Sequence, residues 1–478
     1  MITLLDLLRL GACLHPRREV LVTDDDRLTS RQLYRQSRQL AQLLYGQYGL
    51  RSGQTVSLLC RNHLLPVLLF PALMRLGVRI RLLSTDMPAT QVATLVRDTC
   101  ALLIYDEEVS ARCLPPSLSC RQVSTEVLRQ QLSSATPSSG VSLPWFHACA
   151  HLSVFTGGTT GTFREAARSV RALHFVAPFV ALIRHVGLLR YRSILIALPL
   201  YHGFGLSALV ISLVLGKKVC LLRHFQPQQA LSLIRQEGIE VLPVVPALLS
   251  RLWQLPDAAG ALRSIRCILS GGDLLPLSVA RLTEQRLGSV LYNLYGTSEA
   301  GFFVLAHPQD LAQATREGLL GKPIWGVQCS VRQPDAQGIG TLWVRSAWAM
   351  TSRQNQWQNT GDLVSRDASG YLYHHGRADR MVVCGGENVY LDSVERVLLS
   401  HPAVANARVY PVPHPDFGQV LHAQVELTTS ASSSAALTPD ALRPWLSQRL
   451  SRAEMPHAIT FAPLELLSTG KVNSAQHH

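Results

Sequence analysis

The sequence predicts an α/β protein with a large N-terminal domain of parallel sheets flanked by helices and a small C-terminal α+β domain. Short apolar runs alternate with amphipathic helical segments from residue 19 onward, a pattern typical of parallel sheets covered by helices. The chain has 478 residues, too many for one compact core. Beyond residues 369–377 a new pattern of strands and helices begins and continues for about a hundred residues. The length suggests two or three units, and the change of pattern predicts that the last of them is small.

The elements of the larger part follow from their apolar spacing. Residues 1–11 predict an amphipathic helix, because Asp6 and Arg9 interrupt the apolar stretch and no basic segment precedes it, which argues against a signal peptide. Residues 29–48 carry apolar side chains at helical spacing. Strands are predicted at residues 55–60, 78–83, 101–106, 217–222, 239–245 and 266–272, and helices at residues 64–77 and from about residue 88.

Residues 194–216 contain no Asp, Glu, Lys or Arg and are long enough to cross a bilayer. Pro199, His202, Gly203 and Gly205 divide this segment, however. We therefore expect a buried strand at residues 194–200, a loop at residues 201–205 and an apolar helix after it. Peripheral contact with a membrane surface stays open.

The last part of the chain predicts a small α+β arrangement. After the segments at residues 340–346 and 369–377, a new β/α pattern appears in the segments at residues 394–404, 407–413 and 422–428. Two serine-rich stretches, residues 133–140 and 429–436, predict surface loops.

Charge and cysteine content narrow the class of partner. The net charge of +13 favours anionic partners such as nucleotides, coenzyme A or an acidic membrane surface. Nucleic acid is not expected, because the chain has no run of five or more basic residues. The ten cysteines form no CxxC pair, which predicts reduced thiols and a cytoplasmic protein. His147, Cys149 and His151 fit alternating residues of a strand better than a metal site.

The most informative motif is FTGGTTGTFR at residues 155–164. Its glycines let backbone N–H groups approach an anion, its threonines add hydroxyl donors, and an arginine adds fixed positive charge. Taken alone, the motif fits a plain surface loop as well as a phosphate-binding loop. The candidate phosphate ligands are Thr156, Gly157, Gly158, Thr159, Thr160, Gly161 and Arg164.

Several enzyme classes lack their central motif in this chain. The loop at residues 155–164 does not end in the Gly-Lys-Ser/Thr of a P-loop NTPase. No GxSxG elbow supports a serine hydrolase, and no GxGxxG follows a strand as a Rossmann dehydrogenase requires.

Four further motifs accompany the loop: YGTSE at residues 295–299, NTGD at 359–362, GRADRMVVCGGENVY at 376–390 and TGK at 469–471. In this order and at these separations they resemble the adenylate-forming superfamily of acyl-CoA synthetases, aryl-CoA ligases and related enzymes, from about residue 25 to residue 471. The resemblance implies an ATP-dependent acid–thiol ligase, with ATP, Mg²⁺, and coenzyme A or the phosphopantetheine of an acyl carrier protein. It also places the domain boundary at a hinge, giving domains at residues 1–376 and 377–478.

The resemblance assigns roles around the nucleotide. Tyr295 would stack on adenine, Ser298 would contact the α-phosphate, and Glu299 would bind Mg²⁺. The remaining candidates for nucleotide contact near these residues are Gly271, Gly272, Asp273, Gly296 and Thr297. Taken by itself, YGTSE also fits a core tyrosine followed by a solvated glutamate at a helix start.

The resemblance also assigns residues to the sugar, the thiol and the acid. Asp362 would accept hydrogen bonds from the ribose hydroxyls, and Arg377 would touch ribose or phosphate. The other assignments are the hinge residue Asp379, the thiol channel at Gly385 and Gly386, the adenylation lysine Lys471, and His202 as a wall of the acyl pocket. Taken singly, Asp362 also fits a common turn, and Asp379 fits a salt-bridged linker. Gly385 and Gly386 also fit a simple hairpin turn. Lys471 also fits a solvated C-terminal tail, and His202 fits a buried, hydrogen-bonded histidine.

The sequence departs from the family pattern at several positions. The phosphate loop has Gly157, Phe163 and Arg164 where Ser, Pro and Lys are usual. Arginine keeps the positive charge and binds phosphate bidentately. Leu391 and Ser393 replace the usual Pro and Glu. The motifs look most like bacterial fatty acyl-CoA synthetases, so a fatty acid is the first expected substrate. The alternatives are an aryl or natural-product acid ligase that loads an acyl carrier protein, and a catalytically inactive relative that binds nucleotide or acyl ligand.

Overall fold

The computed structural model describes two compact units, Met1–Pro243 with Trp348–Ser352 and Val244–Ala347 with Arg353–His478. The predicted boundary between residues 376 and 377 stays a prediction. The described residues are 4–97, 99–114, 118, 120–134, 143, 151–157, 163–169, 176–349, 354–384, 387–414, 417–428 and 437–464.

The first unit alternates strands with helices, as its apolar pattern predicts. Its helices are α1 (Leu4–Leu14), α2 (Ser30–Gly46), α3 (Leu64–Leu76), α4 (Ala89–Val96), α5 (Glu107–Cys113), α6 (Thr125–Ser134), α7 (Val176–Ala181), α8 (Gly203–Val214) and α9 (Pro227–Glu237). Its strands are β1 (Glu19–Val22), β2 (Arg27–Thr29), β3 (Thr55–Leu59), β4 (Arg79–Leu82), β5 (Cys100–Tyr105), β6 (Gln122–Ser124), β7 (His151–Gly157), β8 (Phe163–Ser169), β9 (Ser193–Ile196), β10 (Lys218–Leu221) and β11 (Val241–Val244).

Parallel pairing dominates the first unit. One sheet has the order β6-β5-β3-β4-β7-β8 and is parallel except between β7 and β8. A second set of strands has the order β11-β9-β10-β1-β2 and is parallel except between β1 and β2. Because parallel strands end at the same edge of a sheet, the loops that follow β3 and β5 lie side by side.

Local sequence explains where the helices begin and end. Thr29 caps α2, and Gln32 returns the hydrogen bond to the Thr29 backbone, so the predicted helix at residues 29–48 is confirmed. Helix α3 is apolar on nearly every side and is buried almost throughout, which suits a central position between the surrounding elements. Gly77 ends this helix at φ 68°, a conformation that glycine adopts without a steric penalty.

The uncharged segment at residues 194–216 folds as a strand and a helix, but the predicted loop between them was too long. Helix α8 already begins at Gly203, with His202 at its N-cap position. Gly205 lies in the first turn, where a Cβ atom would fall within 2.9 Å of the Leu198 carbonyl oxygen. The close approach of this turn to the end of β9 is thus a contact that only the folded chain reveals. Among the helices that the structure describes, none has the length and apolar character needed to span a bilayer.

The second unit combines a mostly antiparallel sheet with smaller sheets near its C-terminal end. Its helices are α10 (Pro246–Trp253), α11 (Ala258–Ala261), α12 (Leu277–Leu287), α13 (Pro308–Ala312), α14 (Leu391–Leu399) and α15 (Pro439–Ser447). Its strands are β12 (Cys267–Gly271), β13 (Leu291–Thr297), β14 (Gly301–Ala306), β15 (Leu319–Pro323), β16 (Gln328–Arg332), β17 (Gly340–Arg345), β18 (Gln358–Arg366), β19 (Leu372–Arg377), β20 (Met381–Cys384), β21 (Glu387–Tyr390), β22 (Val404–His414), β23 (Gly418–Leu427) and β24 (Ala458–Phe461).

The strands of the second unit pair mainly with antiparallel neighbours. The order is β12-β13-β14-β15-β19-β18-β17-β16, and only β12 and β13 run parallel. Strands β20 and β21 form an antiparallel pair, and β22, β23 and β24 form a separate sheet. The last sheet packs on α14 and α15 around a core that includes Val394, Leu398, Val409, Leu421, Val425, Leu442 and Leu446. The α+β character predicted for this region is confirmed, while most of the serine-rich stretches, residues 135–140 and 429–436, lie outside the described residues.

Candidate functional site

The candidate site of the second unit is built at one edge of its large sheet. Gly271, the last residue of β12, lies opposite Leu294 of the parallel strand β13. The chain therefore leaves β12 through Gly272 and Asp273 close to the point where β13 presents Tyr295. The predicted GGD and YGTSE motifs are thus brought together by strand pairing.

Tyr295 packs in the core with its ring and reaches Asp362 with its hydroxyl. The ring contacts Phe303 edge-to-face at a centroid distance of 5.1 Å, and the hydroxyl donates to Asp362 Oδ2. Burial, together with the adjacent Asp362 carboxylate, raises the pKa of Tyr295 well above 10.0. The hydroxyl consequently stays protonated as a hydrogen-bond donor at neutral pH.

Asp362 is a buried carboxylate surrounded by donors. It is 6% exposed, and its Oδ1 lies 3.5 Å from both His374 Nε2 and Arg377 Nη1. Burial alone would raise its pKa, but His374, Tyr295 and Arg377 outweigh that effect and lower the pKa below 3.8. Asp362 is therefore an ionised acceptor at neutral pH. A carboxylate carries about four lone-pair sites, so it can accept further hydrogen bonds.

The turn before Asp362 depends on a glycine. Gly361 has φ 79°, and a Cβ atom there would lie 2.8 Å from Arg377 Nη2. Its N–H donates to Asn359 Oδ1 at 2.8 Å, and the N–H of Asp362 donates to Thr360 Oγ1 at 3.1 Å. The NTGD motif thus forms a tight turn that leaves room for the Arg377 guanidinium beside Asp362.

Arg377 and Asp379 form an ion pair, as the alternative of an ordinary salt-bridged linker also predicts. Arg377 Nε donates to Asp379 Oδ1 at 2.8 Å, and Nη2 donates to Oδ2 at 3.1 Å. Asp379 lies in a short 3₁₀ helix at Ala378–Arg380. The geometry is compatible with both the predicted hinge and the linker alternative, so the hinge role stays a prediction.

Sequence reasoning missed the charged cluster next to this linker. Arg380 donates to both carboxylate oxygens of Glu395, at 3.0 and 2.8 Å, and also pairs with Asp392. Asp392 Oδ2 in turn accepts from the backbone N–H of Arg377 at 2.7 Å. Burial opposes the charge of Arg380, but Glu395 and Asp392 raise its pKa. The one available signal was the three-residue spacing of Asp392 and Glu395, which places both on one face of α14.

Ser298 and Glu299 lie in the tight turn between β13 and β14. Thr297 Oγ1 accepts from the backbone N–H of Ala300 at 3.1 Å, and Thr297 pairs with Gly301 across the hairpin. The alternative that placed Glu299 at a helix start is therefore wrong. A Cβ atom on Gly296 would collide with the Gly301 backbone, so this hairpin requires glycine at position 296.

Glu299 is a half-buried carboxylate of the kind that suits Mg²⁺. Within the part of the chain that the structure describes, no group of three or more His, Cys, Asp and Glu residues could hold a metal ion. Mg²⁺ usually takes one or two protein carboxylates and completes its shell with phosphate and water. The residues present fit that mode of binding.

The predicted phosphate loop connects β7 and β8. These strands pair antiparallel, with Thr156 opposite Arg164 and Gly157 opposite Phe163, while Phe155 is buried at the end of β7. The pairing brings the backbone of Arg164 next to that of Thr156, as a loop with a basic end requires. Gly158, Thr159, Thr160 and Gly161 lie outside the described residues.

Of the remaining predicted residues, the structure describes His202. His202 begins α8, and its ring lies 4.7 Å from the Tyr201 ring, centroid to centroid. Gly385, Gly386 and Lys471 lie outside the described residues. The flanking strands β20 and β21 pair antiparallel with Cys384 opposite Glu387, as the hairpin alternative expects.

Among the cysteines that the structure describes, none forms a disulfide bond. Burial raises the pKa of Cys220 and of Cys329 to about 12, and raises that of Cys60 well above 9.0. Burial, followed by the neighbouring Cys100, raises the pKa of Cys120 to about 11. These groups stay protonated at neutral pH.

Two family profiles match this chain. The profile described as AMP-binding enzyme matches residues 11–352, and that of the AMP-binding enzyme C-terminal domain matches residues 393–471. The chain belongs to the AMP-binding enzyme family. The resemblance to adenylate-forming enzymes is thereby confirmed, and with it the prediction of an ATP-dependent enzyme that forms an acyl-adenylate.

Curated relatives of this AMP-binding enzyme are similar over nearly their whole length. The 2-succinylbenzoate–CoA ligase of Bacillus licheniformis is 29% identical over 472 residues, which cover 95% of this chain and 95% of the relative. The ligase of the same name from Bacillus subtilis is 28% identical over 462 residues, which cover 93% and 91%.

Solved structures confirm the predicted fold class of a large N-terminal and a small C-terminal domain. The o-succinylbenzoate CoA synthetase of Bacillus subtilis, in complex with its acyl-adenylate, has a TM-score of 0.81 and 25% identity, with 98% of this chain and 97% of that chain covered. The amide bond synthetase of Marinactinospora thermotolerans has a TM-score of 0.81 and 25% identity, with 99% of each chain covered. An anthranilate CoA ligase bound to anthranoyl-AMP shares the fold, with a TM-score of 0.84, 22% identity, and 98% of this chain and 95% of that chain covered.

Proposed function

We propose that this AMP-binding enzyme is an acid–CoA ligase that activates an aryl carboxylic acid. The acid's carboxylate oxygen attacks the α-phosphorus of ATP, pyrophosphate leaves, and an acyl-adenylate remains. The thiol of coenzyme A then attacks the acyl carbon, and AMP leaves. The observation that carries the proposal is the ionised, buried Asp362 between Tyr295 and Arg377.

This cluster has the features that a nucleoside site needs. The ionised Asp362 can accept hydrogen bonds from two neighbouring ribose hydroxyls, since each carboxylate oxygen keeps lone pairs beyond its protein contacts. Arg377 contributes positive charge, which would offset the repulsion between the acid's carboxylate and the phosphates of ATP. Gly271 and Gly272 contribute no side chains of their own at the adjacent edge of the sheet.

Other groups are assigned by family membership and stay proposals. Glu299 and the phosphates of ATP would hold Mg²⁺, which offsets the negative charge that develops on those phosphates. Thr156, Arg164 and the intervening residues would hold the β- and γ-phosphates, and Lys471 would bridge the acid and the α-phosphate. A solved relative, the o-succinylbenzoate CoA synthetase, binds ATP and magnesium ion.

The expected substrate changes from a fatty acid to an aryl acid. The curated relatives are ligases of 2-succinylbenzoate, and this compound is a benzoic acid. Their names also specify CoA, which supports coenzyme A over an acyl carrier protein as the thiol donor. A fatty acid, a carrier protein and membrane contact have no support among these relatives, and a cytoplasmic location stays a prediction.

A panel of acids tests the proposed function. ATP–pyrophosphate exchange would be measured with 2-succinylbenzoate, anthranilate, benzoate and dodecanoate, followed by AMP release on addition of coenzyme A. We expect at least one aryl acid to exceed dodecanoate about tenfold or more in kcat/KM, because shape mismatch in a pocket costs about 1–3 kcal/mol. Preference for dodecanoate would restore the fatty acid assignment. No exchange with any acid would favour the inactive relative.

Substitution of Asp362 tests the nucleotide assignment. In Asp362→Asn the ribose would lose an ionised acceptor, and hydrogen bonds to charged groups contribute about 1.5–3 kcal/mol. We expect kcat/KM for ATP to fall by about 100-fold in the exchange assay. The control is Asp367→Asn, which changes a carboxylate at the turn of the same hairpin, where Asp367 Oδ1 accepts from the Tyr371 N–H at 2.9 Å. Equal loss of activity in both variants would contradict a role specific to Asp362.

A further inference from the structure

Asn62 forms hydrogen bonds to a buried segment of the first unit through both the nitrogen and the oxygen of its carboxamide. Asn62 is 4% exposed and lies between β3 and α3. Its Nδ2 donates to the Leu198 carbonyl oxygen at 2.9 Å, and its Oδ1 accepts from the Leu200 N–H at 2.9 Å. Both partners belong to residues 198–202, the segment that joins β9 to α8 and ends at His202. We refer to this segment as the acid loop.

The centre of the acid loop depends on such contacts because it is buried. Leu198, Leu200 and Tyr201 are all buried. Buried backbone groups need hydrogen-bond partners within the protein, and the two contacts from Asn62 supply them for the centre of the loop. A second contact joins the Tyr201 hydroxyl to Thr85 Oγ1 at 3.1 Å. The position of His202 is thus set by side chains outside the acid loop.

The backbone on either side of Asn62 is itself held firmly. The N–H of Arg61 donates to Asp106 Oδ2 at 2.7 Å, and His63 Nε2 lies 2.7 Å from Asp106 Oδ1. Thr125 Oγ1 also donates to Asp106 Oδ1, at 2.9 Å. Asp106 is fully buried at the end of β5. The carboxamide therefore projects from a rigid support, so it can define the place of the acid loop.

We propose that Asn62 is a positioning residue for the carboxylic acid substrate, acting through the acid loop and His202. The inference rests on the proposed function and on the role that the family resemblance assigns to His202, a wall of the acyl pocket. Loss of either hydrogen bond displaces the acid loop and weakens acid binding, whereas the nucleotide cluster of the second unit keeps its own contacts. The expected signature is a change in KM for the acid without a change in KM for ATP.

The variant Asn62→Asp gives this proposal a pH readout. An ionised aspartate accepts from the Leu200 N–H but repels the Leu198 carbonyl oxygen. A protonated aspartate donates to Leu198 and accepts from Leu200, so it restores both hydrogen bonds. Burial raises the pKa of an aspartate, so the protonated form becomes more populated as the pH falls. For the best acid of the panel, we expect KM to rise about tenfold at pH 8.5 relative to the wild type and to approach the wild-type value at pH 6.

The chain offers a matched control on the same strand. Ser193 begins β9 and is also buried; its hydroxyl donates to the Gly238 carbonyl oxygen at 3.0 Å and accepts from the Glu240 N–H at 3.1 Å. Ser193→Ala thus removes two buried hydrogen bonds at the end of β9 opposite to the acid loop. We expect a lower melting temperature for this variant and an unchanged KM for the acid. Thr85→Val removes only the hydrogen bond to the Tyr201 hydroxyl, so it should raise the acid KM to a smaller extent. This variant tests the same inference if Asn62→Asp does not fold.

The outcomes separate this inference from the proposed function. A raised acid KM that recovers at low pH, with the ATP KM constant, supports the positioning role. An acid KM that stays at the wild-type value in Asn62→Asp and in Thr85→Val overturns it, while the proposed function stands. Parallel increases in both KM values, or the same increase in Ser193→Ala, overturn it as well. A wild-type enzyme that activates no acid of the panel overturns both.

Discussion

Tyr295 is one of the donors that keep Asp362 ionised, after His374, whose contact lowers the pKa of Asp362 most. Together with His374 and Arg377, it keeps the pKa of Asp362 below 3.8 although the carboxylate is buried. A carboxylate whose pKa is lower in the folded than in the unfolded state stabilises the fold at pH values above its unfolded pKa. This stabilisation is lost as the pH falls through the folded pKa. The Tyr295 hydroxyl should therefore contribute to stability in a pH-dependent way.

The variant Tyr295→Phe tests this dependence. Without the hydroxyl the pKa of Asp362 rises towards its unfolded value, so the stabilisation from ionised Asp362 shrinks. We expect the free energy of unfolding at pH 7 to fall by roughly 1–2 kcal/mol. The difference from the wild type should narrow as the pH is lowered below 4. Urea unfolding followed across this pH range measures both quantities.

A second tyrosine provides the control for Tyr295→Phe. The Tyr371 hydroxyl donates to Asp310 Oδ1 at 2.6 Å. Tyr371→Phe therefore removes a comparable hydrogen bond between a phenol and a carboxylate. A pH-dependent loss of equal size in Tyr371→Phe would show that the effect is not specific to the buried Asp362.

Sequence motifs identified the residues of the site but not all of their partners. Tyr295, Asp362 and Arg377 stand in short motifs with a recognisable order, so the sequence could predict them. His374 was missed because its contact with Asp362 depends on the register of β18 and β19. That register shifts between Leu363 and Val364, and the shift places His374 opposite Val364 while Asp362 pairs with Arg377. Apolar spacing alone does not reveal such an irregularity.

At the scale of elements, Arg380 ties the linker after β19 to helix α14. It pairs with Asp392 and Glu395, and Glu395 Oε1 also accepts from the Val409 N–H of β22 at 2.8 Å. Three elements thus meet at one guanidinium. Removal of a cation from a partly buried cluster leaves its carboxylates without compensation, which costs more than the loss of an exposed pair.

The variant Arg380→Met should destabilise the second unit strongly. We expect the free energy of unfolding to fall by about 3 kcal/mol, because two carboxylates remain in place without a cation. The double variant Arg380→Met/Glu395→Leu should recover part of that loss. For comparison, Arg129→Met breaks the surface pair with Asp26 and should cost less than about 1 kcal/mol. Similar losses for the two single variants would contradict the importance of burial.

Elements with a regular local pattern were predictable, and those that depend on distant pairing were not. Helix α2 has its cap and spacing within its own sequence, and β3, β4 and β5 follow from apolar runs. The start of α8 was misplaced because Gly203 and Gly205 suggested a loop, whereas Gly205 lies in the helix and is required by its close approach to the carbonyl oxygens of Leu198 and Pro199. The hairpin of β13 and β14 was missed for a similar reason, since it depends on pairing across Gly296.

At the scale of the whole molecule, the proposed reaction has two stages that use different groups. Lys471 would act in adenylate formation, where an acid carboxylate approaches the α-phosphate. The later attack by the thiol on the acyl carbon does not require a cation between the acid carboxylate and the α-phosphate. A variant at this position should therefore separate the two stages.

The expected result for Lys471→Ala is selective loss of the first stage. ATP–pyrophosphate exchange should fall about 100-fold or more, while thioester formation from supplied acyl-AMP and coenzyme A stays close to the wild-type rate. Lys322→Ala is the control, because Lys322 lies over the Tyr371 ring at 4.2 Å as part of the sheet. Equal loss in both half-reactions of Lys471→Ala would contradict the assigned role.

The order of motifs along the chain predicted the family and the fold class, which the comparisons confirm. It did not predict the substrate, because motifs that bind ATP are shared by ligases of different acids. In our proposal substrate choice would depend on the walls of the acyl pocket, such as the acid loop, whose shape arises from tertiary contacts like those of Asn62. The phosphate loop and Lys471 were predicted from motifs alone and stay predictions.

The raised pKa values of two cysteines, Cys220 and Cys329, bear on the proposed chemistry. An acyl-adenylate is a mixed anhydride, and any thiolate within reach could capture its acyl group. Cys220 and Cys329, with pKa values of about 12, hold less than about one thiolate in ten thousand at pH 7. If the acyl-adenylate came within reach of either of these two sulfurs, capture of its acyl group would therefore be slow at neutral pH.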